Sequence, residues 1–235
     1  MVFDITMTYA VGTVFMTLGT VVLLTTMAKT SGRDRTLYAI LAAIPGIAAV
    51  AYAVMTLGIG TLTVNGNTVF APRYIDWLFT TVLLVLYVGM VAGASRDVLA
   101  KLVAADVSVI VFGVVATMIT PPVKYGAFAI ATGAFAALLY LLFGPTTTAS
   151  ESQPYRVTAL AKKLRNVIGV LWLIYPIAWA TGPAALGLMN VGTMAVVIMY
   201  LDVVSKVGFG LIALNGVQTI EQAQQSEPAA ETVTA

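Results

Sequence analysis

Apolar residues run along this chain in seven blocks of bilayer length, each closed by a short polar break. A membrane span needs about 20 mostly apolar residues, and such windows fit at roughly 4 to 28, 36 to 58, 73 to 93, 98 to 120, 124 to 143, 158 to 181 and 190 to 219. The breaks between them carry turn chemistry, as in "KTSGRDR", "GASRD", "TPPVK", "GPTTTASESQP" and "TGPAALG". Between the second and third blocks, "TLTVNGNTVF" sets Asn65-Gly66 between short alternating runs. That is the signature of a type I′ hairpin. The pattern predicts an all-α bundle of seven transmembrane helices over 1–220, with a short extracellular β-hairpin between helices 2 and 3.

The ends of the chain read differently. "MVFDITMTYAVG" has no basic stretch of the kind that opens a cleaved leader, and the apolar run behind it reaches Ala28, so it is expected to be the first span. The tail 221–235, "EQAQQSEPAAETVTA", is polar, acidic and without periodicity, and is expected to be a disordered cytoplasmic extension. Orientation follows from Lys and Arg in the short loops, which favour the cytoplasmic side. Lys29, Arg33, Arg35, Arg96, Lys101, Arg156, Lys162, Lys163 and Arg165 fall at one end of the bundle, against Lys124 and Arg73 at the other. The N-terminus is therefore expected outside and the C-terminus inside a cell membrane crossed many times.

Composition narrows the chemistry. The 235 residues are 60% hydrophobic and 9% charged, outside the range of an ordinary soluble domain. A formal charge of +2, with no basic stripe interleaved with aromatics, gives no reason to expect nucleic acid. Cys and His are both absent. Thiolate chemistry is thus excluded and no metal site of the usual kind is expected, while proton chemistry is left to Asp, Arg, Tyr, Lys and water.

Charges inside the membrane are costly and usually mark function. Five remain once the loops are set aside: Arg73, Asp76, Asp106, Asp202 and Lys206. Asp202 and Lys206 are one helical turn apart and share a face. Arg73, Asp76 and Thr80 follow one another at single-turn spacing on the third helix, a cation, an anion and a hydroxyl in order. Two structural alternatives stand beside a functional one: Asp202 and Lys206 as an ion pair that fixes helix packing, and Arg73 as a side chain snorkelling to the interface. A lysine in the middle of a span, opposed by two carboxylates, is suited to covalent attachment of a carbonyl compound. Trp172, Tyr175 and Trp179 form an aromatic face at i, i+3 and i+7, which serves either as core packing or as the wall for a flat conjugated ligand.

"RYIDWLFTT" (73 to 81), "LRNVIGVLWLIYPIAW" (164 to 179) and "YLDVVSKVGFG" (200 to 210) resemble the microbial rhodopsins of haloarchaea, and the similarity extends over nearly the whole chain in seven-helix order. The resemblance implies a photoreceptor and no enzyme. It implies all-trans retinal, with other isomers admitted by a roomy pocket, bound to Lys206 as a protonated Schiff base. Asp76 would be proton acceptor and primary counter-ion, Asp202 second counter-ion, and Arg73 a movable cation. Trp77, Thr80, Thr81, Val109, Gly113, Ala131, Thr132, Trp172, Tyr175, Trp179 and Ser205 would form the chromophore site, and Val109, Gly113, Ala131 and Thr132 leave it spacious.

Two functions compete within that resemblance, a sensor that signals through a partner membrane protein and a slow light-driven outward proton pump. The archaeal pumps carry a donor Asp eleven residues after the acceptor, about three turns on, and here that position is Tyr87. A phenol, with its pKa of about 10, is a poor donor for that step. The pumps also carry two outer glutamates where this chain has Ala184 and Met194. Tyr200 and Ser205 resemble sensory rhodopsin II, where the former faces a transducer helix and the hydroxyl before the lysine bonds to the tyrosine at 175. Alternatives are a lipid-facing aromatic for Tyr200 and a hydroxyl satisfied by its own helix for Ser205. "AKKLRN" is positive-inside charge first and a docking patch second. Val82 stands where the family has Pro, which removes an expected kink, and Asp106 is a pump-like residue whose other reading is a neutral acid between helices. The mixture is similar to the middle rhodopsin offshoot between sensory rhodopsin II and bacteriorhodopsin. Oligomeric state stays open.

Overall fold

The computed structural model describes residues 4–28 and 34–231, with side chains described for 4–28 and 35–220. Lys29 and Arg33, used above for orientation, lie outside the described residues. Seven spans are present, Ile5–Met27, Arg35–Thr56, Ala71–Val91, Arg96–Met118, Val123–Glu151, Tyr155–Thr181 and Val191–Ile220. Each is long and apolar enough to cross a bilayer, and in lipid a helix satisfies its own backbone groups. Side chains such as Phe15, Leu18, Val50, Ile130 and Leu211 stay exposed outside the bundle, as a lipid-facing surface requires.

Helix starts follow local chemistry. The first helix, α1 (Ile5–Met27), is capped by Asp4, whose side chain accepts from the Met7 N–H at 3.0 Å. α2 covers Asp34–Thr56. Strands β1 (Thr61–Val64) and β2 (Asn67–Phe70) pair antiparallel with Val64 opposite Asn67, and Asn65 and Gly66 both have positive φ, 51° and 79°. That is the type I′ turn the Asn-Gly pair predicts. α3 (Ala71–Val91) starts with Pro72 in its first turn and runs unbroken through Val82. α4 (Arg96–Met118) and α5 (Val123–Phe143) follow.

One break read as a turn folds as a helix. After Gly144, α6 (Pro145–Glu151) forms because Pro145 suits a helix's first turn, and the hydroxyls of a Thr/Ser-rich segment find local partners. Ser150 Oγ donates to the Thr147 carbonyl at 2.7 Å, and Arg165 donates to Thr147 Oγ1. The sixth span is interrupted: α7 (Tyr155–Trp172) and α8 (Ile174–Thr181) part at Leu173, three residues before Pro176, which has no N–H for the turn behind it. The seventh consists of α9 (Val191–Val203), a π-helical turn over Val204–Gly208, and α10 (Phe209–Glu231). Of the tail expected to be disordered, 221–231 is described as helical backbone alone and 232–235 lie outside the description.

Two apolar clusters flank a polar layer. Toward the hairpin end pack Tyr9, Met16, Tyr52, Met55, Phe70 and Ala195. Toward the opposite end pack Leu41, Leu84, Tyr87, Leu138, Leu164 and Phe209 among others. On α3 the residues between the clusters include Asp76, and on the seventh span they include Asp202 and Lys206. α1 comes close enough to its neighbours that a Cβ on Gly12 would stand 2.4 Å from the Tyr52 ring, and one on Gly19 would stand 2.7 Å from Val207.

Candidate functional site

The third and seventh spans supply the charges. On α3, Arg73, Asp76, Trp77, Thr80 and Thr81 recur at three- and four-residue spacing and so occupy one face. Lys206 sits in the π-helical turn, a one-turn irregularity common at functional sites. Its Nζ lies 2.5 Å from Asp76 Oδ2 and 3.9 Å from Asp202 Oδ1. All three side chains are buried, at 1% relative exposure. Removing two unit charges from water is costly unless they are paired and hydrogen-bonded, and the two carboxylates meet that cost differently.

Asp202 is held by neutral donors. Tyr52 Oη donates to its Oδ2 at 2.8 Å, Tyr175 Oη to its Oδ1 at 2.7 Å, and Trp77 Nε1 reaches Oδ1 at 3.2 Å and Oδ2 at 3.4 Å. Asp76 has Lys206 on Oδ2, while its Oδ1 is buried without a hydrogen-bond partner. Arg73 makes no ion pair with either acid among the described residues. It donates instead to Tyr9 Oη at 2.9 Å. Thr80, placed at the site by its spacing, gives its hydroxyl to the Asp76 carbonyl at 2.9 Å and is not on the cavity wall.

A cavity of about 130 Å³ runs from Lys206 between the helices. Of the residues singled out from the sequence, Trp77, Thr81, Val109, Gly113, Ala131, Thr132, Trp172, Tyr175, Trp179, Ser205, Asp202 and Arg73 all line it. Trp77 meets Tyr175 edge to face at 5.2 Å. Trp179 stacks on Phe128 at 4.3 Å and donates from Nε1 to Thr117 Oγ1 at 3.1 Å. A Cβ on Gly113 would find nothing within 4 Å, so that wall is open. Ser205 Oγ reaches the Asp202 backbone carbonyl at 3.4 Å and also interacts with the Tyr175 phenol, which donates to the Asp202 carboxylate. Asp106, buried beside the cavity, has Thr81 Oγ1 at 2.7 Å.

Contributors that escaped the sequence reading include Tyr9, Tyr52, Phe128 and Thr117. Phe128 lies three residues before Ala131 and four before Thr132, so helical spacing alone would have found it. Nothing local marks Tyr52, whose partner is 150 residues away.

Residues 4–220 match the family model described as bacteriorhodopsin-like protein. The chain belongs to the bacteriorhodopsin-like family. It is similar to sensory rhodopsin-2 of Haloarcula vallismortis, 43% identical over 211 residues and 89% of each chain. To sensory rhodopsin-2 of Natronomonas pharaonis it is 37% identical, over 92% of this chain and 90% of that one. The thermophilic rhodopsin of Rubrobacter xylanophilus superposes with a TM-score of 0.88 at 32% identity, covering 92% of this chain and 96% of the other. As a microbial rhodopsin, the protein is a multi-pass membrane protein, and membership implies a retinal chromophore. The cavity fits such a group: it is apolar and walled by flat rings, and it ends at a buried primary amine beside an unpartnered carboxylate oxygen.

Proposed function

We propose that the protein is a retinal-binding light sensor of the sensory rhodopsin II or middle rhodopsin type, with retinal carried covalently on the Lys206 nitrogen. The observation that carries the reading is the Lys206–Asp76 pair, 2.5 Å long and fully buried, at the head of an aromatic-walled cavity. When bound, retinal supplies absorption of visible light and isomerisation about one double bond. Everything else is work for this chain's own residues. Trp77, Trp172, Tyr175 and Trp179 confine a flat ligand; Asp76 and Asp202 hold the Lys206 nitrogen cationic in a poorly screened interior.

Which acid takes the proton follows from the hydrogen bonds. Both Asp202 oxygens are engaged by Tyr52, Tyr175 and Trp77, whereas Asp76 Oδ1 has no partner. A proton leaving the Lys206 nitrogen therefore goes to Asp76. Transfer erases both charges of the pair that ties α3 to the seventh span, and those helices are then free to shift. Tyr200, 65% exposed and two residues before Asp202, is the side chain we assign to contact with a partner transducer helix. The positive-inside distribution supports an N-terminus outside the membrane and a C-terminus in the cytoplasm.

Reading as a sensor, not a pump, is supported by the two sensory rhodopsin relatives and by Tyr87. Its hydroxyl is fully buried without a hydrogen-bond partner, packed edge to face on Phe209 at 5.7 Å. That packing makes Tyr87 a poor donor on the side of Lys206 away from the hairpin. The deciding experiment reconstitutes purified protein with all-trans retinal, records the visible spectrum with and without hydroxylamine, and follows pH in an illuminated cell suspension. A visible band lost in Lys206→Ala, with a slow photocycle and little acidification, is expected. Strong acidification with fast recovery would overturn the sensor reading.

A further inference from the structure

The position of Arg73 is unusual for its surroundings. The residue is 7% exposed and its guanidinium carries five donors, yet Nε has no hydrogen-bond partner and neither Asp76 nor Asp202 is within ion-pair distance. Coulomb attraction in a poorly screened interior draws it toward those carboxylates. Something opposes that pull. Nη2 donates to Tyr9 Oη at 2.9 Å, and the guanidinium carbon stands 5.6 Å from the Tyr9 ring centre and 5.3 Å from that of Phe70. Cation–π attraction of this kind strengthens when the pair is desolvated.

Tyr9 is itself held in place. Its ring meets Phe70 edge to face at 5.2 Å and Tyr52 at 5.9 Å, and Tyr52 in turn donates to Asp202. Tyr9 is fully buried on α1. Arg73 borders both the cavity that ends at Lys206 and a smaller one of about 40 Å³ toward the hairpin, so room exists on either side of it.

We propose that Tyr9 is a positioning residue: it tethers the Arg73 guanidinium at the hairpin end, away from Asp76 and Asp202, and so leaves both carboxylates to the cation at Lys206. The spectral part of this inference rests on the retinal reading above; the tether itself does not. Tyr9→Phe keeps the ring and its packing but removes the acceptor. With the hydrogen bond cut and only the ring contacts left to hold it, Arg73 moves toward the acids and weakens their negative potential at Lys206, in the same sense as removing the Asp76 charge.

The test has two arms. In retinal-reconstituted protein, Tyr9→Phe is expected to move the visible band to longer wavelength by less than Asp76→Asn does, and to move it no further in an Arg73→Gln background. In retinal-free protein labelled with nitrogen-15 arginine, the Arg73 Nε resonance, assigned as the one missing from Arg73→Gln, is expected to shift in Tyr9→Phe. A band shift that persists without Arg73, or an Nε resonance unmoved by Tyr9→Phe, overturns the proposal. Protein that stays colourless with retinal sinks the Lys206 reading instead, and the resonance arm still decides the tether.

Discussion

Asp76 and Asp202 face the same ammonium, yet only one has an oxygen to spare. Asp202 draws on Tyr52, Tyr175 and Trp77, while Asp76 has Lys206 on Oδ2 and its Oδ1 without a hydrogen-bond partner. Asp76→Asn should therefore shift the visible band to longer wavelength and abolish flash-induced proton transfer, which time-resolved absorption would show; an unmoved band would remove Asp76 as the principal counter-charge. Tyr52→Phe takes one donor from Asp202. Because an unsatisfied buried acceptor costs about 1–3 kcal/mol, more when charged, the variant should bleach at a lower temperature than wild type. Asp106 offers a separate test. Thr81 Oγ1 is 2.7 Å from Asp106 Oδ2 and 2.6 Å from the Trp77 carbonyl, and one hydroxyl proton serves both acceptors only by being shared. An Asp106 that carries its own proton and donates it to Thr81 resolves the shortage. Infrared spectra should then show a carboxylic C=O band that is lost in Asp106→Asn and displaced in Thr81→Val.

At the scale of elements, the site depends on how closely α1 approaches α2 and the seventh span. Gly12 and Gly19 make that approach, and through Tyr52 the first sets the donor to Asp202. Gly12→Val should displace the Tyr52 ring and cost about 1–3 kcal/mol, the usual range for overpacking, read as faster thermal loss of the visible band. The spans were legible from hydropathy because lipid demands continuous apolar helix, and the hairpin from Asn65-Gly66 because few dipeptides accept two positive φ angles. α6 was not, since "PTTTASE" has the composition of a turn and becomes helix only when Arg165 and local carbonyls take up its hydroxyls. The charged centre was legible because intramembrane charges are few. Tyr9 and Tyr52 were not: a tyrosine on an apolar helix reads equally well as core, and their partners lie on helices distant in sequence.

For the whole molecule, the question is whether the bundle passes a proton across or returns it where it came from. The path from Lys206 toward the hairpin end contains Asp76, Arg73 and a second cavity; the path toward the α6 end meets Leu84, Tyr87, Val88 and Phe209, all fully buried. A phenol without a hydrogen-bond partner in that apolar plug neither releases a proton readily nor orders water on its own. On the sensor reading proposed above, reprotonation of the Lys206 nitrogen is expected to be slow, and a long-lived displaced state would give a partner time to respond. Tyr87→Asp puts a titratable acid at that point, three turns of α3 beyond Asp76. If the plug sets the rate, flash photolysis should show recovery of the ground-state band accelerated at least tenfold, a barrier change of about 1.4 kcal/mol, and illuminated suspensions should acidify more than with wild type. Recovery at the wild-type rate in a folded, coloured variant would mean that the slow step lies in the helices and not in the supply of a proton.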